Sequence, residues 1–192
     1  MSEINFYAKK YNTPIGPCLI VAKEDKLIGL WFEGQKYDCP IKDKLIWKEK
    51  ELLEQTAKWL DLYFAGKKPE ISELPLELEG SSFRQEVWKI LCQIPYGSTV
   101  TYGEIADIVG KKHEKEKMSA QAVGGAVAHN PISIIIPCHR VVGADGSLTG
   151  YAGGVSKKRW LLEHEKVNLC NKKRKLSNNR KIKKKQKSNK IS

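Results

Sequence analysis

Apolar residues come first in short β-like runs and later with a helical period. Residues 4–8, 19–22 and 27–32 are apolar segments that read as three strands. The last two flank the polar turn Lys23-Glu24-Asp25-Lys26, which makes them a hairpin. Across residues 48–64 the period changes. Leu53, Ala57, Leu60 and Phe64 share one face of a helix, and Gly66 ends it. Residues 67–80 carry two prolines and no helical stripe, so they read as a linker. The expected organisation is an N-terminal α/β lobe with its linker over 1–76 and a second lobe over 77–168.

The second lobe is patterned for helices. Ser82 with Gln85, and Thr101 with Glu104, have the spacing of capping boxes. The first opens a helix with Phe83, Val87 and Leu91 on one face; the second opens a short helix ending near Gly110. A charged insert, KKHEKEK, follows, expected to be a solvated loop. Ser119 then caps a helix over 120–128, closed by Asn130-Pro131. Two short helices in this order resemble a helix-turn-helix. Residues 132–136 are apolar without alternation, as in a buried strand or extended segment. A glycine-rich loop covers 143–154, and a last helix over 157–166 is capped by Ser156.

The composition, 41% hydrophobic with five tryptophans in 192 residues, supports one ordinary core or two small lobes sharing an interface. No apolar stretch approaches the roughly 20 residues of a membrane span, and the N-terminus lacks a secretory signal, so a cytoplasmic location is expected. Cysteines at 18, 39, 92, 138 and 170 form no C-x-x-C pair, which argues against a zinc knuckle or disulfide framework and for a reducing compartment. The formal charge of +12 suggests nucleic acid, but 11 Lys and Arg lie in residues 171–192 with no acidic residue, leaving the body near neutral. With three aliphatic residues, that tail buries too little to order itself, and residues 169–192 are expected to be disordered. It reads either as a solubilising tail or as a phosphate-binding arm.

The candidate chemistry lies in Pro137-Cys138-His139-Arg140. A cysteine is nucleophilic only as thiolate, so it needs a base, a positive neighbour or a helix N-terminus. On a strand or helix adjacent side chains diverge, so His139 is expected to reach Cys138 through a water or a tight turn rather than directly. His139 in turn needs an orienting carboxylate. The last helix offers Glu163 and Glu165, and spacing does not choose between them.

The pieces VTYGEIA (100–106), AVGGAVAHNP (122–131), IIIPCHRVVG (134–143), GYAGG (150–154) and WLLEHE (160–165) closely resemble, in sequence and order, the methylated-DNA–protein-cysteine methyltransferases, also called O6-alkylguanine-DNA alkyltransferases. TPIGP (13–17) and LIGLWF (27–32) extend a looser resemblance, so that it covers residues 1–168. It implies an α/β protein: a ribonuclease H-like antiparallel sheet with a helix, then a mostly helical lobe bearing the helix-turn-helix. It further implies DNA repair by a single irreversible transfer of the alkyl group from O6-alkylguanine, and from O4-methylthymine, to Cys138. The partner would be double-stranded DNA, the protein a monomer, and neither cofactor nor metal would be required.

By the same resemblance His139 is the water-linked base, Glu165 its orienter and Asn130 a brace for the active-site segment. Tyr102 contacts the flipped base and can supply a proton as guanine leaves. Tyr151 walls the pocket, Val141 and Ala152 contribute backbone groups, and Arg140 holds structure. Ala120–Ala128 is the DNA-contacting helix, with Ala120, Ala122, Gly124 and Gly125 on it. Two glycines in mid-helix cost about 1 kcal/mol each, tolerable where a groove wall or packed neighbour approaches closely. The family places an arginine just before AVGGA as a wedge replacing the extruded base; Gln121 stands there instead. The rival readings are a non-catalytic lesion-binding or regulatory DNA protein, which Cys138 argues against, and a thiol hydrolase, which needs an oxyanion hole that the sequence does not locate.

Overall fold

The computed structural model describes residues 4–113 and 118–166. The tail expected to be disordered, Cys170 and residues 114–117 of the charged insert lie outside the described residues.

The N-terminal part is a four-stranded sheet in the order β3-β2-β1-β4, with β1 over Phe6–Thr13, β2 over Gly16–Lys23, β3 over Lys26–Phe32 and β4 over Leu45–Ile46. The three long strands form an antiparallel meander, and only the two-residue edge strand β4 runs parallel to β1. The first strand runs well beyond residues 4–8, because β1 and β2 pair along their whole length from Phe6↔Lys23 to Thr13↔Gly16. Its polar outer residues hide the period that pairing reveals. Alternation along β2 sends Cys18, Ile20 and Ala22 to the main core, and Val21 to a smaller cluster with Ala8, Ile28, Trp31 and Cys39 on the other face.

Helix α1 (Glu51–Phe64) lays Leu53, Ala57 and Leu60 on the sheet, as their spacing predicts. The exposed edge of β3 is then covered twice. Leu27 exchanges backbone bonds with Pro75 and Glu77, and Leu30 with Pro131 and Ser133, which consumes groups that would otherwise template aggregation. The second of these contacts ties the sheet directly to the segment that precedes Cys138.

Four more helices follow: α2 (Ser82–Leu91), α3 (Tyr102–Lys112), α4 (Ala120–Ala128) and α5 (Val155–His164). The cap of α2 is Ser81, not Ser82. Its hydroxyl accepts from the Arg84 N–H, while Gln85 reaches the Gly80 carbonyl. Adjacent serines make the two registers indistinguishable in sequence. The Thr101–Glu104 capping box and the Ser119 cap form as expected. Helix α3 continues past Gly110 to Lys112, where two lysines suit the negative end of the helix dipole. Helix α5 starts at Val155 after Gly154, whose φ of +95° turns the chain out of the glycine-rich loop, so Ser156 lies inside the helix and caps nothing. Strands β5 (Val100–Thr101) and β6 (Val141–Val142) pair in parallel and set the start of α3 beside the end of the Cys138 segment. One apolar cluster runs from Leu30 and Leu60 through Trp88, Ile105 and Val123 to Leu161, so sheet and helices share a core.

Candidate active site

Residues 132–136 do not form a strand. Ile136 N–H bonds back to the Ile132 carbonyl and Ile135 N–H to Ser133, and Ile134 takes φ = +70° although it is β-branched. Asn130 is the template for this tight path. Its Oδ1 accepts from Ile132 N at 3.0 Å, and its Nδ2 donates to the Ile136 carbonyl at 2.8 Å and to Cys138 Sγ at 3.0 Å. A local apolar run cannot announce such a turn, because part of its backbone is satisfied by a side chain outside the run.

Cys138–Arg140 is a single 3-10 turn. At three residues per turn its side chains point about 120° apart, which separates Cys138 from His139 despite their adjacency. Cys138 is 4% exposed. Burial pushes its thiol up, against the Asn130 hydrogen bond and the positive charge of Lys158, which pull it down. The resting group is therefore the thiol, and a base must take its proton.

His139 points to Glu165, with Nε2 2.7 Å from Oε1. Glu165 is also held by the Tyr63 hydroxyl at 2.8 Å, by Arg140 Nε and Nη2 at 2.9 and 3.0 Å, and by the Gly97 N–H at 3.0 Å. Burial alone would raise its carboxyl, but the bonds and charges of His139 and Arg140 outweigh that and hold it well below the usual range. An ionised carboxylate only accepts, so the proton on the His139 ring is assigned to Nε2. Burial lowers the His139 pKa against the pull of Glu165, which favours the neutral ring and leaves Nδ1 as a lone-pair acceptor. Nδ1 is buried and has no hydrogen-bond partner among the described residues.

Around the thiol stand two tyrosines. The Tyr102 hydroxyl donates to the Thr149 carbonyl at 2.9 Å, and its ring lies between Gly124 of α4 and Gly150 of the loop. Burial first, then the negative charge available at Cys138, raise its phenol to about 12. The buried Tyr151 hydroxyl has no hydrogen bond of standard geometry among the described residues, with the Ser133 side chain beside it. Gly153 approaches Tyr151 and Phe32 so closely that an added methyl would stand 2.9 and 3.1 Å from their rings. The loop is thereby strapped to the sheet.

The residues expected to act together therefore do meet at Cys138, His139, Glu165 and Asn130, with Tyr102 and Tyr151 beside them. Val141 is buried in the β5–β6 ladder, and the Ala152 carbonyl accepts from the Lys36 N–H. Ala120, Gln121, Ala122 and Gly125 form an exposed face of α4 with half-buried Gly124 at its side, apart from the bonds around Cys138. A methyl on Gly124 would only touch Tyr102 at 3.9 Å and one on Gly125 would meet nothing within 4 Å, so no packed neighbour requires either glycine.

Lys158 escaped the sequence reading. It is fully buried, donates to the Thr149 carbonyl at 2.6 Å, and is pulled down to about 8 by burial against the opposing influence of Cys138. The signal was present in α5: Lys158, Leu161, Leu162 and Glu165 are its buried stripe, while Glu163 faces solvent. Two charges on an otherwise apolar helical face mark both residues, and the burial of that face in the fold selects Glu165 over Glu163.

A buried thiol and a carboxylate-held imidazole beside an exposed helix are the chemistry of a candidate thiol-dependent site. Comparison with known proteins gives that chemistry a family. Residues 82–167 match the DNA binding domain of 6-O-methylguanine DNA methyltransferase, and residues 6–78 match its ribonuclease-like domain. The methylated-DNA–protein-cysteine methyltransferase of Methanosarcina barkeri is 46% identical over 157 residues, covering 82% of this chain and 95% of the relative. That of Mycobacterium tuberculosis is 44% identical over 156 residues, covering 81% and 89%. The M. tuberculosis OGT crystallised in complex with DNA superposes with a TM-score of 0.72 at 42% identity, covering 83% of this chain and 92% of that one. The chain belongs to the 6-O-methylguanine DNA methyltransferase family.

Proposed function

We propose that this protein repairs DNA by moving the alkyl group of O6-alkylguanine onto Cys138 Sγ, once per molecule. The observation that carries the reading is a buried thiol beside an imidazole whose Nε2 is engaged by ionised Glu165 and whose Nδ1 is left unpaired. Cys138 gives its proton to His139 Nδ1 through a water, since the 3-10 turn keeps the two side chains apart. The sulfur attacks the alkyl carbon in line. The S–C bond forms as the C–O6 bond breaks, the electron pair stays on O6, the Tyr102 phenol hydrogen-bonds the leaving purine, and the proton first given to His139 returns through solvent to the purine. Lys158 stabilises the thiolate and Asn130 holds its sulfur. The thioether product has no leaving group to return the thiol, so the protein is consumed.

An alkyl carbon inside stacked duplex is out of reach, so the base must be flipped out of the helix toward Cys138, beside Tyr102 and Tyr151. The exposed face of α4 supports minor-groove contact, its glycines lowering the helix surface toward the backbone. Gln121 is the wedge that hydrogen-bonds the orphaned base; unchanged transfer from duplex DNA in Gln121→Ala would remove that role. O4-methylthymine presents the same alkyl ether on a base edge and falls within the same chemistry. One chain carries every residue of the site, so a monomer suffices. Cys18, Cys39, Cys92 and Cys138 are all free, which suits the cytoplasm. No helix among the described residues is long and apolar enough to cross a membrane.

The test is intact mass after incubation with O6-methylguanine duplex. The reading expects a single gain of about 14 Da, one methyl for one proton, that is absent in Cys138→Ala. No gain, or repeated turnover, overturns it.

A further inference from the structure

The segment after β3 leaves the sheet and touches both the end of α4 and the loop that carries Tyr151, although it belongs to neither. Its backbone is strained there: Tyr37 has φ = +58°, a conformation that an aromatic residue keeps only where surrounding contacts impose it. Those contacts are specific. The Tyr37 ring stacks on His129 with centroids 3.8 Å apart and planes at 26°. His129 is the C-cap of α4, its Nδ1 2.7 Å from the Gly125 carbonyl. One residue before Tyr37, the Lys36 N–H donates to the Ala152 carbonyl at 3.1 Å, in the loop that carries Tyr151. Gln35, buried, ties the segment down by accepting from the Phe32 N–H at 2.8 Å.

We infer that Tyr37 is a positioning residue through which the N-terminal sheet keeps α4 in register with the substrate loop. The inference rests on the function proposed above, because α4 is there the element that holds the duplex and the loop the element that holds the flipped base. Register between them matters only when one ligand engages both. A substrate that is all base, with no duplex attached, asks nothing of α4.

That difference supplies a readout which a merely structural role would not move. Tyr37→Asn keeps a residue tolerant of the left-handed region and removes the ring; Tyr37→Phe keeps the ring. Single-turnover alkylation is followed by intact mass with O6-methylguanine duplex and with the free base O6-benzylguanine, whose benzylic carbon is reactive enough to be read without DNA. In Tyr37→Asn the duplex rate should fall about three- to tenfold, the worth of one stacked pair, while the free-base rate stays within about twofold. Tyr37→Phe should restore the duplex rate. An unchanged duplex rate, an equal fall on both substrates, or a Phe variant no better than Asn overturns the inference. Hydrogen exchange separates this outcome from failure of the proposed reaction. If the unaltered protein transfers nothing, the function is wrong, and the bridge still stands or falls on faster exchange of both 125–130 and 149–154 in Tyr37→Asn.

Discussion

Replacing Lys158 by methionine keeps the reach of the side chain and removes one buried charge. In the folded protein burial lowers this lysine from its ordinary 10.5 to about 8. A fall of that size makes the protonated form about 3 kcal/mol less favourable in the native state than in the unfolded chain. The variant also loses the hydrogen bond to the Thr149 carbonyl, worth about 2 kcal/mol because the donor is charged, although Tyr102 still donates to that oxygen. The net expectation at pH 7 is a variant about 1 kcal/mol more stable than the natural sequence. The sign follows from proton binding. Below pH 8 the lysine is protonated in both states and the full cost is present. As pH rises from 8 through 10.5 the folded state releases its proton first, the unfolded state binds more protons, and native stability rises. Urea unfolding of both proteins at pH 7 and at about pH 10 should therefore show a gap that closes at the higher pH. Alkyl transfer should meanwhile slow about tenfold, because the thiolate loses its cationic neighbour. A variant no more stable at pH 7, or a gap independent of pH, refutes the reading of Lys158 as a buried charge kept for function.

Glu165→Gln leaves Arg140 without its counter-charge and frees His139 to carry its proton on either nitrogen. Unfolding should show a loss of about 3–5 kcal/mol, and a mass time course a transfer rate lower by about 10²–10⁴. The depressed carboxyl contributes stability that is present above the ordinary glutamate range and is lost as pH falls below about 4 toward its folded value; the variant should lack that acid-sensitive part. Gly125→Ala fills open space in a helix, so it should raise stability by about 1 kcal/mol while weakening duplex binding in a titration; tighter binding would contradict the assignment of this face to DNA. Deleting residues 171–192 should flatten the salt dependence of duplex affinity, by a slope change of about 0.9 for each phosphate the tail neutralises; an unchanged slope makes the tail a solubilising appendage.

Elements whose signals are local could be read along the chain. The stripe Leu53-Ala57-Leu60 defined α1, Thr101 with Glu104 capped α3, Ser119 capped α4, and the run Pro137-Cys138-His139-Arg140 marked the candidate nucleophile. Its separation from His139 was also legible, since adjacent side chains diverge on any regular backbone. Elements that depend on a distant partner were not. The outer half of β1 has no apolar period of its own and is a strand because β2 pairs with it. The run 132–136 is apolar enough for a strand, but the Asn130 amide satisfies its backbone as a turn and offsets the strain at Ile134.

The chemistry of the site divides the same way. Which residue is proposed to attack could be read from its motif, because a reactive side chain type is a property of the chain. How it is activated could not, because a pKa is set by burial and by charges brought from elsewhere. Only the packing of α5 against the Cys138 turn joins Glu165 to His139 across 26 positions, holds it ionised through His139 and Arg140, and seats Lys158 within the field of the thiol. Desolvation and through-space charge act over distances in the fold and have no counterpart along the sequence.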